Sequence, residues 1–273
     1  MTEAPAVAMP QCRTRILVAA GSQHLDTYCV PLVRPARLAI ALWVLIACFP
    51  RIAAAEEALR VAMFAASKEY RAAETLPLLK SALEQSSGVT VQLFVGTDKG
   101  ADLTGFDTLE KTDVAILFTR RVKLSPAALE QFKAFCASGK GIVGIRTASH
   151  GIESWPAFDH EVLGGDYRDH RGDRPATLSG LTDHFILKGF VPFPTSGKLY
   201  KNPNPAADIA PLLRATTDEA SETVAWARER GRQRVFYTSL GVPEDFSQPA
   251  FIQMLVRATF WTAHRESSAP PAR

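Results

Sequence analysis

The sequence is short of cysteine, of charge excess and of long apolar runs, and each shortage removes a class of protein. Four cysteines occur in 273 residues, and three of them (Cys12, Cys29, Cys48) lie in the first 55. A chain cut after Ala55 keeps only Cys136 and can form no internal disulfide. The formal charge is +3, and the chain beyond Ala55 carries 26 basic and 26 acidic residues, so its folded part is about neutral. Nothing in that balance favours nucleic acid, whose binding leans on a basic stripe. The longest apolar run, Leu38 to Phe49, covers about 12 residues, short of the roughly 20 that a stable membrane span needs. No segment repeats. What is present is an ordinary globular composition, 47% hydrophobic and 22% charged, in a chain long enough to bury one full core.

The apolar run has its own meaning. "RPARLAIALWVLIACFPRIAAAEE" puts a basic flank before it and small residues after it, the layout of an export signal cleaved after Ala55. The basic flank starts late, which makes residues 1–29 an over-extended start. Two readings compete with the cleaved signal. "LIAC", ending at Cys48, resembles a lipobox, which would leave a lipoprotein anchored through that cysteine. The run could also be a buried core helix. The expected destination is therefore the periplasm or the medium, with residues 56–265 as one folded domain and 266–273 as a disordered tail.

Beyond the leader, strand and helix patterns alternate. "LRVAMFAA" (59–66), "VTVQLFVG" (89–96), "DVAILFT" (113–119) and "GIVGIRT" (141–147) read as strands, the third apolar throughout, as burial on both faces requires. A helix over 73–87 places Leu76, Leu79 and Leu83 on one face. A second starts at the cap Ser125 with Pro126 in its first turn, faces inward through Leu129, Phe132 and Cys136, and ends at Gly139. The alternation predicts a doubly wound, mostly parallel sheet. Residues 156–211, rich in Gly, Pro, Asp and His, read as long site-forming loops with short strands. "TVAWARE" and "RQRVFYTSLG" predict a hairpin through Gly231, followed by a helix over 249–264.

Ligands of open α/β sheets bind beyond the carboxyl ends of the strands, which directs attention to "GIRTASHGIESW". An amidotransferase would place a cysteine at this turn. Here stand Arg146, Thr147, Ala148, Ser149 and His150, and Cys136 falls on an apolar helix face. Ser149 with His150 as its base is disfavoured, because neighbours in a turn rarely face each other and the glycine spacing of a serine elbow is missing. Arg146, ending an apolar strand, offers a planar fork to a carboxylate or to sugar oxygens, or else forms a structural ion pair with Asp159 or Glu161. Trp155 stacks on a sugar or plugs the core beside Phe158. Tyr200 and Asn202 supply a hydroxyl and an amide suited to sugar hydroxyls. Four of the six histidines lie between 150 and 184. His150 and His170 suit proton transfer. With His184 and Asp183 they also form a donor set for a divalent metal such as zinc, although no compact zinc motif is present.

Taken in order, "GIRTASH", "WPAFDHEVLGGDYRDH", "TDHFILKGF", "GKLYKNP", "VAWARE", "RVFYTSLG" and "PAFIQMLVRATFWTA" resemble the motif chain of ThuA-like proteins, named for trehalose utilisation, from about Leu59 to Ala263. The resemblance implies a flavodoxin-like sheet of the class I glutamine amidotransferase-like superfamily without its cysteine. It also implies a role in catabolism of trehalose, other disaccharides or keto-glycosides. In such a protein Arg146, Thr147, Ser149, Trp155, Tyr167, Tyr200 and Asn202 would bind the sugar, while His150 and His170 would move protons or hold a metal. The alternative is a non-catalytic sugar-binding or scaffolding protein on the same fold, and a homo-oligomer fits either reading. Phe185 departs from the family, which usually has proline after the Asp-His pair (here Asp183 and His184).

Overall fold

The computed structural model describes residues 57–271; the export signal and the lipobox at Cys48 lie outside them. Nine strands form one mixed sheet in the order β2-β1-β3-β4-β9-β8-β7-β5-β6. The first half is parallel: β1 (Leu59–Ala66), β2 (Val89–Val95), β3 (Val114–Thr119), β4 (Gly141–Ile145) and β9 (Gln233–Thr238). Every position of β3 and β4 is buried, which explains their unbroken apolar runs.

Helices cover both faces of this half. On one, α1 (Ala72–Glu84) buries Leu76, Leu79 and Leu83, and α3 (Pro249–Thr262) buries Met254, Leu255 and Phe260 against the same cluster. On the other lie a 3-10 segment, Phe106–Lys111, and α2 (Pro126–Ala137), which inserts Phe132 and Phe135. The expected cap of α2 is present: Ser125 Oγ accepts the Ala128 N–H at 3.2 Å. Gly139 ends that helix at φ +82°, a conformation that costs glycine little.

Two expectations need correction. The sheet is mixed, with as many antiparallel pairings as parallel ones, because β8 (Ser221–Arg230), β7 (Ile209–Thr216), β5 (Asp169–Gly180) and β6 (Thr195–Lys201) extend it antiparallel from β9. The segment 156–211 therefore contains paired strands of 12 and 7 residues where long loops with short strands were expected. The reason is visible in β5, "DHRGDRPATLSG": most of its side chains are exposed, so it has no apolar alternation to betray it. Its pairing is marked by ion pairs to distant residues, Arg171 with Glu222, Arg174 with Asp218, and Lys201 with Asp169. The hairpin through Gly231 is present, at φ +60°. Glu266–Ser268, in the expected tail, forms one 3-10 turn, with Glu266 paired to Arg234.

Candidate functional site

The carboxyl ends of four adjacent parallel strands carry buried hydroxyls. Ser67 follows β1, Thr119 ends β3, Thr147 follows β4 and Ser239 follows β9. Each is at most 3% exposed, and none of the four side-chain oxygens has a hydrogen-bond partner among the described residues. Buried polar atoms are usually paired, so four unpaired ones at neighbouring strand ends set this edge apart from the apolar interior. Their signal in the sequence is an apolar strand run closing on Ser or Thr, as in "FAAS" and "ILFT".

Arg146 sits among them at φ +47°, the strained left-handed position at the end of β4. Its guanidinium is buried. It donates to Ser239 O at 2.5 Å, to the Tyr70 hydroxyl at 3.3 Å and to Lys198 O at 3.5 Å. It also lies over the Tyr70 ring, 4.2 Å from the centroid, and 5.1 Å from that of Tyr200. The expected ion pair with Asp159 or Glu161 does not form, since those carboxylates have other partners. Asp159 Oδ2 accepts the Tyr167 N–H at 2.8 Å, and Glu161 accepts from Trp155 Nε1 at 3.1 Å. Arg146 thus ties the end of β9 to β6, joining the two halves of the sheet.

Beside it opens a cleft of about 490 Å³, lined by Arg121, Ser149, His150, Trp155, Asp159, Tyr167 and Arg168 among others. The turn Arg146–His150 is a single 3-10 helix, and it brings Ser149 Oγ to 3.1 Å from His150 Nδ1. This corrects the expectation that these neighbours would not face each other: the tight pitch of the 3-10 turn folds the serine back under the ring. His150 stacks on Tyr167 with centroids 4.6 Å apart, and Tyr167 leans on Tyr200 at 4.5 Å. Nε2 of His150 has no hydrogen-bond partner among the described residues. Burial, and then the positive charges of Arg121, Arg120 and Arg146, push the imidazole down to about 4, so it is neutral at ordinary pH.

Asp159 moves the other way. Burial lifts its carboxyl to about 6, against the stabilising N–H bond from Tyr167. Its Oδ1 is buried and unpaired, tucked under Gly165; a Cβ there would stand 2.3 Å from that oxygen. Asp159 therefore fixes the backbone from which Tyr167 reaches His150. Asp166 anchors the same loop through Arg168 at 2.6 Å and Asn204.

Of the residues expected from sequence, Ser149, His150, Trp155 and Tyr167 share the cleft. Trp155 packs edge-on against Phe132 and tilted against Phe158, the core contact foreseen for it, and also lines the cleft. Arg146, Thr147 and Tyr200 lie buried behind the cleft wall. Asn202 does not line the cleft; its Oδ1 accepts the Asp166 N–H at 3.0 Å. His170 is half-buried at the start of β5, near enough to His150 to act on it electrostatically, and its Nδ1 lies 3.1 Å from Arg171 O. His184 is elsewhere: it accepts the Ile186 N–H and packs edge-on against Trp261 of α3, beside the exposed Asp183. The four metal donors expected from sequence are thus not gathered, and among the described residues no three His, Cys, Asp or Glu side chains converge to hold a metal. Sequence reasoning missed Arg121, Tyr70 and the enclosure of Asp159, because each depends on contacts across the sheet.

Against known proteins, the pattern of the ThuA family, described as trehalose utilisation, matches residues 60–262. Among solved structures, a ThuA-like protein from Bacteroides uniformis superposes with a TM-score of 0.61 at 17% identity, over 78% of this chain and 95% of its own. One from Parabacteroides merdae gives 0.60 at 16%, over 76% and 90%. A cytoplasmic protein from Salmonella typhimurium gives 0.50 at 14%, over 75% and 98%. At such identities these likenesses establish the fold alone. No curated protein matches the sequence.

Proposed function

The chain belongs to the ThuA family of trehalose utilisation, which gives it a carbohydrate-related role, and from that membership we propose that it is an exported enzyme that binds a disaccharide or keto-glycoside in the cleft and moves a proton on it through His150. The parallel half, on this reading, is the flavodoxin-like core of the amidotransferase-like superfamily with its thiol chemistry gone. Cys136, the only cysteine among the described residues, is buried on α2, and burial pushes its thiol up, so it supplies no nucleophile.

The observation that carries the proposal is the setting of His150. It is a neutral imidazole at a strand's carboxyl end, held from behind by Ser149 at Nδ1 and from the side by Tyr167, with Nε2 unclaimed. When Ser149 turns its hydroxyl to Arg146 O, at 3.4 Å, Nδ1 donates to Oγ and Nε2 presents a lone pair to the cleft. Trp155 and Tyr167 offer aromatic faces for a sugar ring. Arg146 and Tyr200 serve as positioning groups behind the wall, and His170 as a second imidazole at its rim. The proton transfer is assigned to side chains alone, since the metal donors expected from sequence are dispersed.

A panel of disaccharides and their keto forms tests this with wild type and His150→Gln. The variant should lose roughly 10²–10⁴-fold in turnover, the usual share of a general base, while still binding sugar. Unchanged turnover would remove His150 from the chemistry. Sugars bound but never turned over by wild type would favour the non-catalytic reading. One further reading has an observation of its own: the 3.1 Å contact makes Ser149 a nucleophile with His150 as base. Loss of turnover in Ser149→Ala as complete as in His150→Gln, together with a trapped covalent adduct, would select it.

A further inference from the structure

Of the two arginines that line the cleft, only one has a carboxylate partner. Arg168 is paired with Asp166, Lys123 with Glu153, and Arg120 with Glu69 and Asp98. Asp159 is enclosed. Arg121 lines the cleft, is exposed, and has no carboxylate partner among the described residues. Its backbone is also in the left-handed region, at φ +51°, a strain that surrounding contacts must hold. Those contacts lead to His150. The Arg121 N–H donates to His150 O at 2.9 Å and the Val122 N–H to Gly151 O at 2.8 Å. The Glu153 N–H in turn donates to Val122 O at 2.8 Å, completing a parallel bridge between Val122 and Ile152. The strained residue is thus clamped beside the imidazole, and its charge reaches both His150 and Tyr167.

Building on the function proposed above, we infer that the substrate is an acidic sugar, bearing a carboxylate or a phosphate that Arg121 receives while the ring lies against Tyr167 and Trp155. A guanidinium fork suits either anion, and one without a carboxylate partner in a cleft that must admit a sugar selects for charge. A neutral disaccharide would leave that cation with water alone.

Binding is measured by calorimetry with glucuronate, glucose 6-phosphate, glucose and inorganic phosphate, on the folded protein and on Arg121→Gln. One or both acidic sugars should bind wild type roughly tenfold more tightly than glucose, the worth of one charge-assisted hydrogen bond. In Arg121→Gln that ratio should fall to near one, and Arg121→Lys should restore part of it. Whichever of glucuronate and glucose 6-phosphate binds better identifies the anion. Equal binding of acidic and neutral sugars, or a ratio that survives Arg121→Gln, overturns the inference. Phosphate binding as tightly as the sugar phosphate overturns it too, showing an ion site. His150→Gln separates this from the catalytic reading: lost turnover with the acidic preference retained supports both, whereas unchanged turnover with that preference present sinks only the proton-transfer role.

Discussion

The two halves of the sheet are built on opposite principles. β1, β3, β4 and β9 are mostly buried and apolar, and at their carboxyl ends Ser67, Thr119, Thr147 and Ser239 are gathered. In β5, β6 and β7 many side chains face solvent, and exposed ion pairs decorate the ladder. One half supplies a rigid edge on which to mount chemistry, and the other supplies a wall. Tyr167, on the loop leading into β5, is the aromatic face that wall contributes, with Tyr200 of β6 buried against it. A site assembled at their seam draws stability from one half and shape from the other.

The largest test of this contrast is in the apolar half. Phe118 of β3 is fully buried, stacked near Phe246 and Tyr70. Phe118→Ala should cost about 3–5 kcal/mol in denaturant unfolding. A loss under about 1 kcal/mol would mean that this core is much looser than its packing implies.

Next comes the seam. Arg146→Ala removes the donor to Ser239 O and Lys198 O and keeps a Cβ at positive φ, and should cost about 3 kcal/mol. Arg146→Gly relieves the backbone strain, so it should be the more stable of the two by roughly 1 kcal/mol despite having the smaller side chain. If glycine is the worse substitution, the strain is not there.

The predicted pH dependence sharpens the comparison at the cleft. The folded value of His150 lies below its ordinary 6.5, so the unfolded chain binds more protons between about 6.5 and 4, and stability falls as pH drops through that window. Asp159 is raised from 3.8 to about 6, so its contribution is greatest below 3.8 and is lost as pH rises through 6. His150→Gln removes the first effect and keeps the second. The variant should therefore lose less melting temperature than wild type between pH 7 and 4. Turnover by wild type should hold down to an acid limb near 4, and a limb near 6.5 would contradict the buried, arginine-flanked setting of the ring.

The smallest effect belongs to the polar half. Arg174→Ala in β5 breaks its pairs with Asp218 and Glu219, all three side chains well exposed, and should shift stability by no more than about 0.5 kcal/mol. A loss several times larger would show that the ion pairs, and not the ladder, hold the extension in place.

The sequence alone determined the four early strands, the three helices, the hairpin through Gly231 and the turn Arg146–His150 as the place to look. Those features rest on short-range physics: apolar runs for strands buried on both faces, a serine cap, glycines where φ is positive, a period of 3.6 on α1. It also determined that no reactive cysteine stands at the elbow. Only the tertiary structure decided that "DHRGDRPATLSG" is a strand, since its partners lie between Thr195 and Thr216, outside its local segment, and its mostly exposed side chains carry no apolar alternation. It alone decided that Arg146 is held by carbonyls and tyrosine rings, that Asp159 is enclosed beneath Gly165, and that Arg121 lines the cleft with no carboxylate partner among the described residues. Each of those outcomes depends on which distant group arrives first at a given hydrogen-bond donor or acceptor, and that competition is settled by packing across the sheet, where local spacing has no say.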